Sequence, residues 1–367
     1  MKDLIVVQDS PYRKGYLESI KSKECIFLCT IATTKTAEIP GISAAGATPR
    51  LRRYTAQADV EYLFFEKTYT LKEIPRNPLG PPSPVVITKA ALNLSKMPCF
   101  IIDAGCKVKP KVPAILLRKD GLNCISTGNA FNKEDDLFNL SAALALQFAR
   151  LGKAVILGES VPGGTTTALS LMSFFGIDAH SKVSSSIKDN AHRLKTELVL
   201  TAHKNCKIKK KEARKQPFQV VASIGDSMQL VNAVLTVYLA DYVPVMLAGG
   251  SQMLAVALLI SVLEDYLSKK VCWENISVCT TRWVIEDPTA DFKGLSREVN
   301  PKLLTLAADI DFSHSGFEGL RRYEEGLVKE GVGAGGIAGA GFIKGYFDKK
   351  ILLKEIERLF EKMLKNK

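Results

Sequence analysis

One stretch of the chain carries glycines and hydroxyl residues at a spacing close to that of a phosphate-binding loop. Gly158 to Thr165 reads G-x-x-x-x-G-G-T, one residue away from the G-x-x-x-x-G-K-[ST] pattern that cradles nucleoside triphosphates. Gly164 stands where that pattern has the lysine that reaches the outer phosphates. Glycines let backbone N–H groups approach an anion, and a helix that begins here would add unpaired donors. We therefore expect the loop to bind a single phosphate group rather than a triphosphate.

Side chains within this loop extend the chemistry that it could do. Thr165 and Thr166 offer hydroxyl donors to an anion. Glu159 would repel a long polyanion, but it could hold a sugar hydroxyl or orient a base. The same stretch could instead be a turn from a strand into a helix that binds nothing, and the loop alone leaves that alternative open.

A second stretch, Lys329 to Gly341, reads KEGVGAGGIAGAG and contains one acid, Glu330. Burying a charged carboxylate among glycine and alanine is costly, so burial would raise its pKa and make it a usable base near neutral pH. The alternative is a surface glutamate at the end of the helical segment before it. Taken alone, the stretch favours this surface position.

Composition and hydropathy indicate a globular protein of the cytoplasm. The chain has 367 residues, of which 46% are hydrophobic and 24% charged, which is close to the average of globular domains. The first ten residues carry charges within a short apolar run, so we expect no signal peptide. The uncharged run 242–263 contains Pro244, Gly249 and Gly250, which favours a strand, a glycine loop and a buried helix over a membrane span.

The net charge of +12 raises the possibility of a nucleic-acid-binding protein. Much of the basic excess lies in the segment 203–216, where few aromatic residues are interleaved, so stacking on bases is not indicated. We expect a solvated connection there, and the remaining excess suits anionic small substrates. The eight cysteines form no C-x-x-C pair and the four histidines no H-x-x-x-H pair, so we predict no metal and no cofactor.

Apolar runs that alternate with helical patterns predict the architecture. Two of the helical patterns cover 135–153 and 226–241, with Asp135 and Asp226 as candidate caps. Most of the apolar runs are continuous, which is typical of parallel strands covered on both faces. The predicted strands are 24–32, 98–105, 154–160, 218–226, 243–250 and 275–285.

This alternation predicts an α/β fold with a doubly wound, mostly parallel, Rossmann-like sheet. We assign residues 21–341 to the α/β nucleotide- and base-binding domain, and residues 1–20 with 342–367 to a small helical subdomain built from the two termini. Ligands of open α/β sheets bind beyond the carboxyl ends of the strands. Several predicted strands end in glycine or an acid, so we expect the site at that edge of the sheet.

Seven motifs, in the same order along the chain, together resemble the nicotinate-nucleotide–dimethylbenzimidazole phosphoribosyltransferase family of cobamide biosynthesis. GESVPGGTTTA stands in the position of the family's G-E-M-G-I-G-N-T-T loop, and KEGVGAGG in that of its G-E-G-T-G-A motif. The others are the PGISAAG, IIDAGC, STGNAFNKED and DFSHSG segments and the stretch from IGDS to LAGGS. Each motif is weak alone, but their collinear order from Cys25 to Gly341 makes the resemblance fairly specific. It indicates a divergent, archaeal-type branch of that family.

The resemblance implies roles for individual residues. Glu330 matches the catalytic base that takes the N–H proton of the incoming base, and Glu159 matches the second acid. Gly163, Gly164, Thr165 and Thr166 match the stretch that holds the nucleotide phosphate. Three sets of further positions are implied as substrate-binding: Lys195 near a phosphate-binding lysine, Ser43 in the base pocket, and Gly225, Gly249, Gly250, His314, Gly331 and Gly333 in the remaining motifs.

The implied reaction exchanges nicotinate for a benzimidazole-type base on ribose 5-phosphate, with inversion at C1′, in a homodimer that needs no metal. Three positions depart from the family pattern, since its asparagine, aspartate and second glycine are replaced by Gly164, Ala248 and Asp226. These departures leave the accepted base open. They also leave open the alternative of a non-catalytic nucleotide-binding or regulatory protein on the same scaffold.

Overall fold

The computed structural model describes residues 2–72, 74–132 and 136–365. Within these ranges, eight strands form one sheet in the order β1-β8-β7-β6-β5-β2-β3-β4. β1 runs antiparallel to β8, and the other neighbours are parallel. The strands are β1 Leu4–Gln8, β2 Cys25–Ile31, β3 Cys99–Asp103, β4 Ile115–Leu116, β5 Ala154–Ser160, β6 Val245–Ala248, β7 Ile276–Thr281 and β8 Leu304–Ala308.

Helices connect these strands and cover both faces of the sheet. The helices are α1 Arg13–Ser22, α2 Thr55–Phe65, α3 Val85–Ser95, α4 Leu137–Ala149, α5 Gly164–Phe174, α6 His192–Asn205, α7 Pro217–Ile224, α8 Ser227–Leu239, α9 Ser251–Leu267, α10 Arg282–Ile285, α11 Phe292–Val299, α12 Glu318–Arg321, α13 Ala334–Lys344 and α14 Lys349–Lys365. Short 3₁₀ turns lie at Lys35–Glu38, Leu51–Tyr54, Ile125–Thr127, Lys210–Lys215 and Trp273–Asn275.

The two faces of the sheet carry two separate apolar cores. Helices α4, α5, α7, α8 and α9 contribute to the core on one face, and α2, α3, α13 and α14 to the core on the other. Every residue of β2 and β5 is buried, which explains why both strands read as continuous apolar runs. The predicted doubly wound, mostly parallel α/β class is therefore confirmed.

Two strand predictions need correction, and three strands, β1, β4 and β8, were missed. Residues 218–226, predicted as a strand, lie mostly in helix α7, which has Pro217 in its first turn; an apolar run this short does not distinguish a buried strand from a buried helix. The predicted strand 275–285 ends at Thr281 and continues as α10. β1 and β8, which pair at one edge of the sheet, were not predicted.

Other expectations can be compared with the structure one by one. Asp226 caps α8 as expected, in a capping box with Gln229, whereas Asp135 lies outside the described residues. The uncharged run 242–263 forms β6, a glycine turn and most of α9. No helix in the described ranges is long and apolar enough to span a membrane. The lysines of 203–216 are exposed to solvent, as expected of a solvated connection.

Both chain termini pack against the sheet and its helices. β1 joins the main sheet beside β8, α1 contacts α13, and α14 packs on α3. The division into an α/β domain at 21–341 and a helical subdomain at 1–20 with 342–367 stays a prediction.

The order of the strands determines where a cleft can form. From β2 the chain proceeds to β3 and β4 on one side, and from β5 it proceeds to β6, β7 and β8 on the other. β2 and β5 are direct neighbours, so the direction of winding reverses between them. Such a switch point opens a crevice at the carboxyl ends of the two strands, where open α/β sheets bind ligands.

Candidate active site

A cleft with about 860 Å³ of empty space, part of it open to solvent, lies beyond the carboxyl end of β5. Its walls come from four segments: the β5–α5 loop, residues 43–46 after β2, the proline-rich loop 75–84 before α3, and the loop 328–332 before α13. It brings together residues predicted from separate motifs: Ser43, Glu159, Gly163, Gly164, Thr165, Gly250, Glu330 and Gly331.

The first wall is the N-terminus of α5. Gly163 has φ 81°, a left-handed conformation that glycine adopts without strain, and Gly164 begins the helix. A Cβ at Gly163 would lie 3.1 Å from the Ala37 backbone, so the loop also depends on a close approach. The N–H groups of Gly164 and Thr166 donate to the carbonyls of Val161 and Gly163 at 2.9 Å, and the N-terminus of the helix carries a partial positive charge. This wall therefore has the physical properties of an anion site.

Lys195 of α6 stands directly behind this wall. Its side chain is fully buried, and its Nζ donates a hydrogen bond of 3.1 Å to Thr165 Oγ1. Burial lowers the pKa of Lys195 to about 7, and the neighbouring Lys329 contributes to the decrease. A hydroxyl is a neutral partner for a buried ammonium group that has three donors. An anion bound at Thr165 would supply the missing negative charge.

Glu330 also lines the cavity, in the loop that leads into α13. Its Oε1 accepts hydrogen bonds from the N–H groups of Gly331 (3.0 Å) and Gly335 (3.2 Å), and its Oε2 accepts one from the Thr280 hydroxyl (3.2 Å). Burial raises the pKa of Glu330 to about 7, and these hydrogen bonds oppose the increase. The carboxyl group is thus a cavity residue rather than a surface glutamate, and it can accept a proton near neutral pH.

The backbone next to Glu330 is held in an unusual conformation. Gly331, Val332 and Gly333 have φ values of 154°, 54° and 71°. Val332 is β-branched, so a positive φ is strained for it. The hydroxyl of Thr88 donates to the Val332 carbonyl at 2.9 Å and anchors this residue. Strain of this kind concentrates at functional sites, where the surroundings hold it in place.

Glu159 is the second acid of the cavity, and only 3% of it is exposed. Its Oε2 accepts a hydrogen bond from the Val161 N–H (2.8 Å), and its Oε1 accepts one from Gln252 Nε2 (2.9 Å). Burial raises the pKa of Glu159 to about 8, and the nearby charges of Asp226 and Glu330 add to the increase. At neutral pH this side chain is therefore mostly a neutral acid that can donate to a sugar oxygen.

Gln252 also explains the glycine at position 164. A Cβ built on Gly164 would lie 1.7 Å from Gln252 Oε1, so the amide group of Gln252 occupies the space that a side chain at 164 would need. The phosphate-binding stretch of the similar family has an asparagine at this position. In this chain an amide group still lies beside the loop, but it comes from the start of α9.

Asp59 and Lys329 are two charged residues of the cavity wall that were not among the predicted residues. Asp59 of α2 lines the cavity, and the only signal for it is an acid within an apolar helical segment. Lys329 directly precedes Glu330 and is buried. Its Nζ lies 2.9 Å from an oxygen of Asp287 and also donates to Asn190 Oδ1 at 3.1 Å. The ion pair ties the loop of Glu330 to Asp287, and the hydrogen bonds of the same Nζ tie it to the segment 184–190.

Several predicted residues do not line the described cavity. Thr166 is buried in the first turn of α5, Gly249 precedes Gly250 at the end of β6, and Gly333 caps α13. Gly225 joins α7 to α8, where a Cβ would meet Gln229 and Leu171. His314 is exposed in the loop after β8. Because Gly225 and His314 lie outside the cavity, we do not include them in the proposed site.

The described residues contain no group of three or more histidine, cysteine, aspartate or glutamate side chains placed to hold a metal ion.

Relatives with sequence similarity cover most of the chain. A UPF0284 protein of Trichodesmium erythraeum is 40% identical over 355 residues, which is 95% of each chain. One of Methanothermobacter thermautotrophicus is 37% identical over 325 residues, covering 88% of this chain and 89% of its own. One of Pyrococcus furiosus is 36% identical over 340 residues, covering 92% and 99%. No family model matches the chain.

Solved structures reproduce the fold at low sequence identity. A crystal structure of nicotinate-nucleotide–dimethylbenzimidazole phosphoribosyltransferase from Thermus thermophilus matches with a TM-score of 0.59 at 16% identity, over 93% of this chain and 90% of that one. A structure of CobT from the same organism matches with a TM-score of 0.58 at 17% identity, over 93% and 91%. The predicted resemblance is thus confirmed at the level of the fold, and the sequence relatives show that the chain belongs to the UPF0284 family.

Proposed function

We propose that this protein transfers a 5-phosphoribosyl group from nicotinate mononucleotide to a benzimidazole-type base, as a step in making the lower ligand of a cobamide. The observation that carries the proposal is that one cavity is lined both by a helix N-terminus backed by Lys195 and by the raised-pKa carboxyl group of Glu330. The likeness of the fold to phosphoribosyltransferases supports it.

The phosphate of the nucleotide serves as a handle in this proposal. It binds at Gly163, Gly164 and Thr165, where the N-terminus of α5 favours negative charge. Lys195, which donates to Thr165 Oγ1, neutralises part of that charge from behind the helix. The loop needs no lysine at position 164, because no γ-phosphoryl group is transferred.

The chemical step requires one proton acceptor. The free ring nitrogen of the azole attacks C1′ of the ribose, and the bond from C1′ to the nicotinate nitrogen breaks with its electron pair going to that nitrogen. The cationic pyridinium thereby leaves as neutral pyridine, so it needs no general acid. The N–H proton of the azole passes to the Glu330 carboxylate. General-base assistance of this kind is worth roughly 10²–10⁴-fold, and holding the two substrates in line supplies a further part of the acceleration.

The neutral acid Glu159 acts on the ribose in this scheme. Its hydrogen bond from Gln252 fixes the orientation of its carboxyl group, so that the remaining donor points into the cavity toward a hydroxyl oxygen. Attack from the face opposite the leaving group inverts C1′, and the product is an α-ribotide.

The test is to incubate the protein with nicotinate mononucleotide and a panel of benzimidazoles and purines, and to measure free nicotinate by chromatography. We expect release that depends on both an added base and Glu330, with Glu330→Gln reducing the rate by about 10² or more while leaving nucleotide binding intact. The surface variant Glu318→Gln serves as the matched control.

Nucleotide binding without nicotinate release from any base would contradict the proposal. That result would favour a non-catalytic nucleotide-binding or regulatory protein on the same scaffold. We also propose a homodimer in the cytoplasm, because the similar family implies both. Light scattering of the purified protein tests the dimer, and a mass equal to that of one chain would contradict it.

A further inference from the structure

Asp59 is a carboxyl group in the cavity wall to which the proposed transfer gives no role. Only 2% of the residue is exposed. Its two oxygens accept hydrogen bonds of 2.8 Å from the hydroxyl groups of Ser83 and Ser160. An ionised carboxylate has about four acceptor sites, and each oxygen of Asp59 accepts one of these bonds, so each keeps further acceptor capacity. Its partners are neutral hydroxyls, and burial raises the pKa of Asp59 to about 7 despite their hydrogen bonds, so a further donor from a ligand would stabilise the ionised form.

The partners of Asp59 locate it between the two glutamates. Ser160 directly follows Glu159 at the end of β5. Ser83 directly precedes Pro84, and a Cβ on Gly331, the residue after Glu330, would lie 3.5 Å from Pro84. Asp59 therefore joins the end of β5 to the start of α3, next to the loop that carries Glu330.

The helix face that carries Asp59 also faces the predicted base pocket. Thr55 lies one helical turn before Asp59 on α2, and both line the cavity. The Thr55 hydroxyl donates to the Ala45 carbonyl at 2.8 Å. This bond holds the segment 43–46, whose Ser43 is the residue predicted for the base pocket. The side of the cavity reached by Asp59 is thus the side assigned to the incoming base.

A buried carboxylate discriminates strongly between ligands. A ligand that donates a hydrogen bond stabilises the carboxylate. An apolar ligand excludes water from the carboxylate and offers it no hydrogen bond in return. An apolar base such as a methylated benzimidazole would cover Asp59 without compensating it. A base with an N–H donor beyond its azole ring would form a charge-assisted hydrogen bond.

We propose that Asp59 is a specificity-determining residue that selects an acceptor base carrying an N–H or O–H donor on its six-membered ring, such as an amino-substituted benzimidazole or an aminopurine. This inference rests on the proposed phosphoribosyl transfer. Ser83 and Ser160 position the carboxylate, and the donor of the base completes its coordination.

The test uses isosteric pairs of bases, 5-amino- and 5-methylbenzimidazole and the corresponding 4-substituted pair, with nicotinate mononucleotide as the donor substrate. Both kcat/KM and the affinity of each base, by calorimetry, are measured. We expect the wild type to prefer one of the amino compounds over its methyl counterpart by about tenfold or more, in line with a hydrogen bond to a charged group. Asp59→Ala should reduce this ratio to within about twofold, and Asp59→Asn should reduce it partly.

The exposed variant Asp178→Ala is the control and should keep the wild-type ratio. Equal use of the amino and methyl bases by the wild type would overturn the inference, and this result needs no variant to fold. An unchanged ratio in Asp59→Ala, with its melting temperature retained, would also overturn it. If nicotinate is never released, the proposed transfer fails, whereas the calorimetric ratio of the two bases still supports or refutes recognition by Asp59.

Discussion

Replacing Gly164 with alanine tests how the loop before α5 packs against Gln252. A Cβ at this position would lie 1.7 Å from Gln252 Oε1 and 2.4 Å from Gln252 Cδ, so the Gln252 side chain must move away. Its hydrogen bond of 2.9 Å to Glu159 is then lost. The lysine or asparagine found at this point of similar loops would be excluded for the same reason.

The magnitude follows from two opposing contributions. Loss of a buried hydrogen bond that leaves a carboxyl oxygen unsatisfied costs about 1–3 kcal/mol. Alanine in place of glycine in a helix gains up to about 1 kcal/mol, although this gain is smaller in the first turn. We therefore expect Gly164→Ala to lower the free energy of unfolding by about 1–2 kcal/mol.

A double-mutant cycle with Gln252→Ala, read by urea denaturation, measures this coupling. In the Gln252→Ala background the space is empty, so adding Gly164→Ala should be neutral or slightly stabilising. The coupling energy should then be about 1–2 kcal/mol, as for residues in direct contact. Additive effects of the two substitutions would refute the reasoning, since they would mean that Gln252 does not occupy this space.

Three further predictions follow from the charged groups of the cavity. Because Glu330 must be ionised to accept a proton and burial raises its pKa to about 7, kcat/KM should rise with pH up to about 7, and it should fall again above about pH 8 as Glu159, whose pKa is raised to about 8, loses the proton that it donates; a profile that is flat from about pH 5 to 8 would exclude Glu330 as the base. Lys195→Met should raise KM for nicotinate mononucleotide about tenfold or more with a smaller change in kcat, as measured by steady-state kinetics, and an unchanged KM would remove Lys195 from phosphate binding. Lys329→Met should lower the free energy of unfolding by about 3–5 kcal/mol, because it leaves Asp287 buried without its cation. The control Lys182→Met breaks a more exposed ion pair and should cost less than about 1 kcal/mol; equal costs would contradict the burial argument.

The sheet was predictable where its strands lie in continuous apolar runs, whereas β8, which is also fully buried, was missed. β2, β3, β5 and β6 lie within predicted strands, because strands covered on both faces are marked by continuous apolar runs. Helix α7 was mistaken for a strand because a helix of 8 residues shows no clear period. β1 is an antiparallel edge strand whose pairing with β8 joins residues about 300 positions apart, and local sequence does not contain that information.

The site was predictable where its residues lie in glycine-rich motifs. Glu159 and Glu330 belong to such motifs, and both line the cavity. Asp59 was missed because its partners, Ser83 and Ser160, are 24 and 101 residues away. Gln252 was missed because its role depends on the space left by Gly164 across the cavity. Contacts between distant segments decide both roles, and a local pattern does not reveal them.

The most direct test of the central claim is the configuration of the reaction product at C1′. Nicotinate mononucleotide and the base that supports the fastest nicotinate release are incubated with the protein, and the product is examined by proton NMR. The account predicts one new ribotide with the base attached in the α configuration, formed in step with free nicotinate and nearly absent with Glu330→Gln. A β-configured product, or nicotinate released to water with no new ribotide, would contradict it.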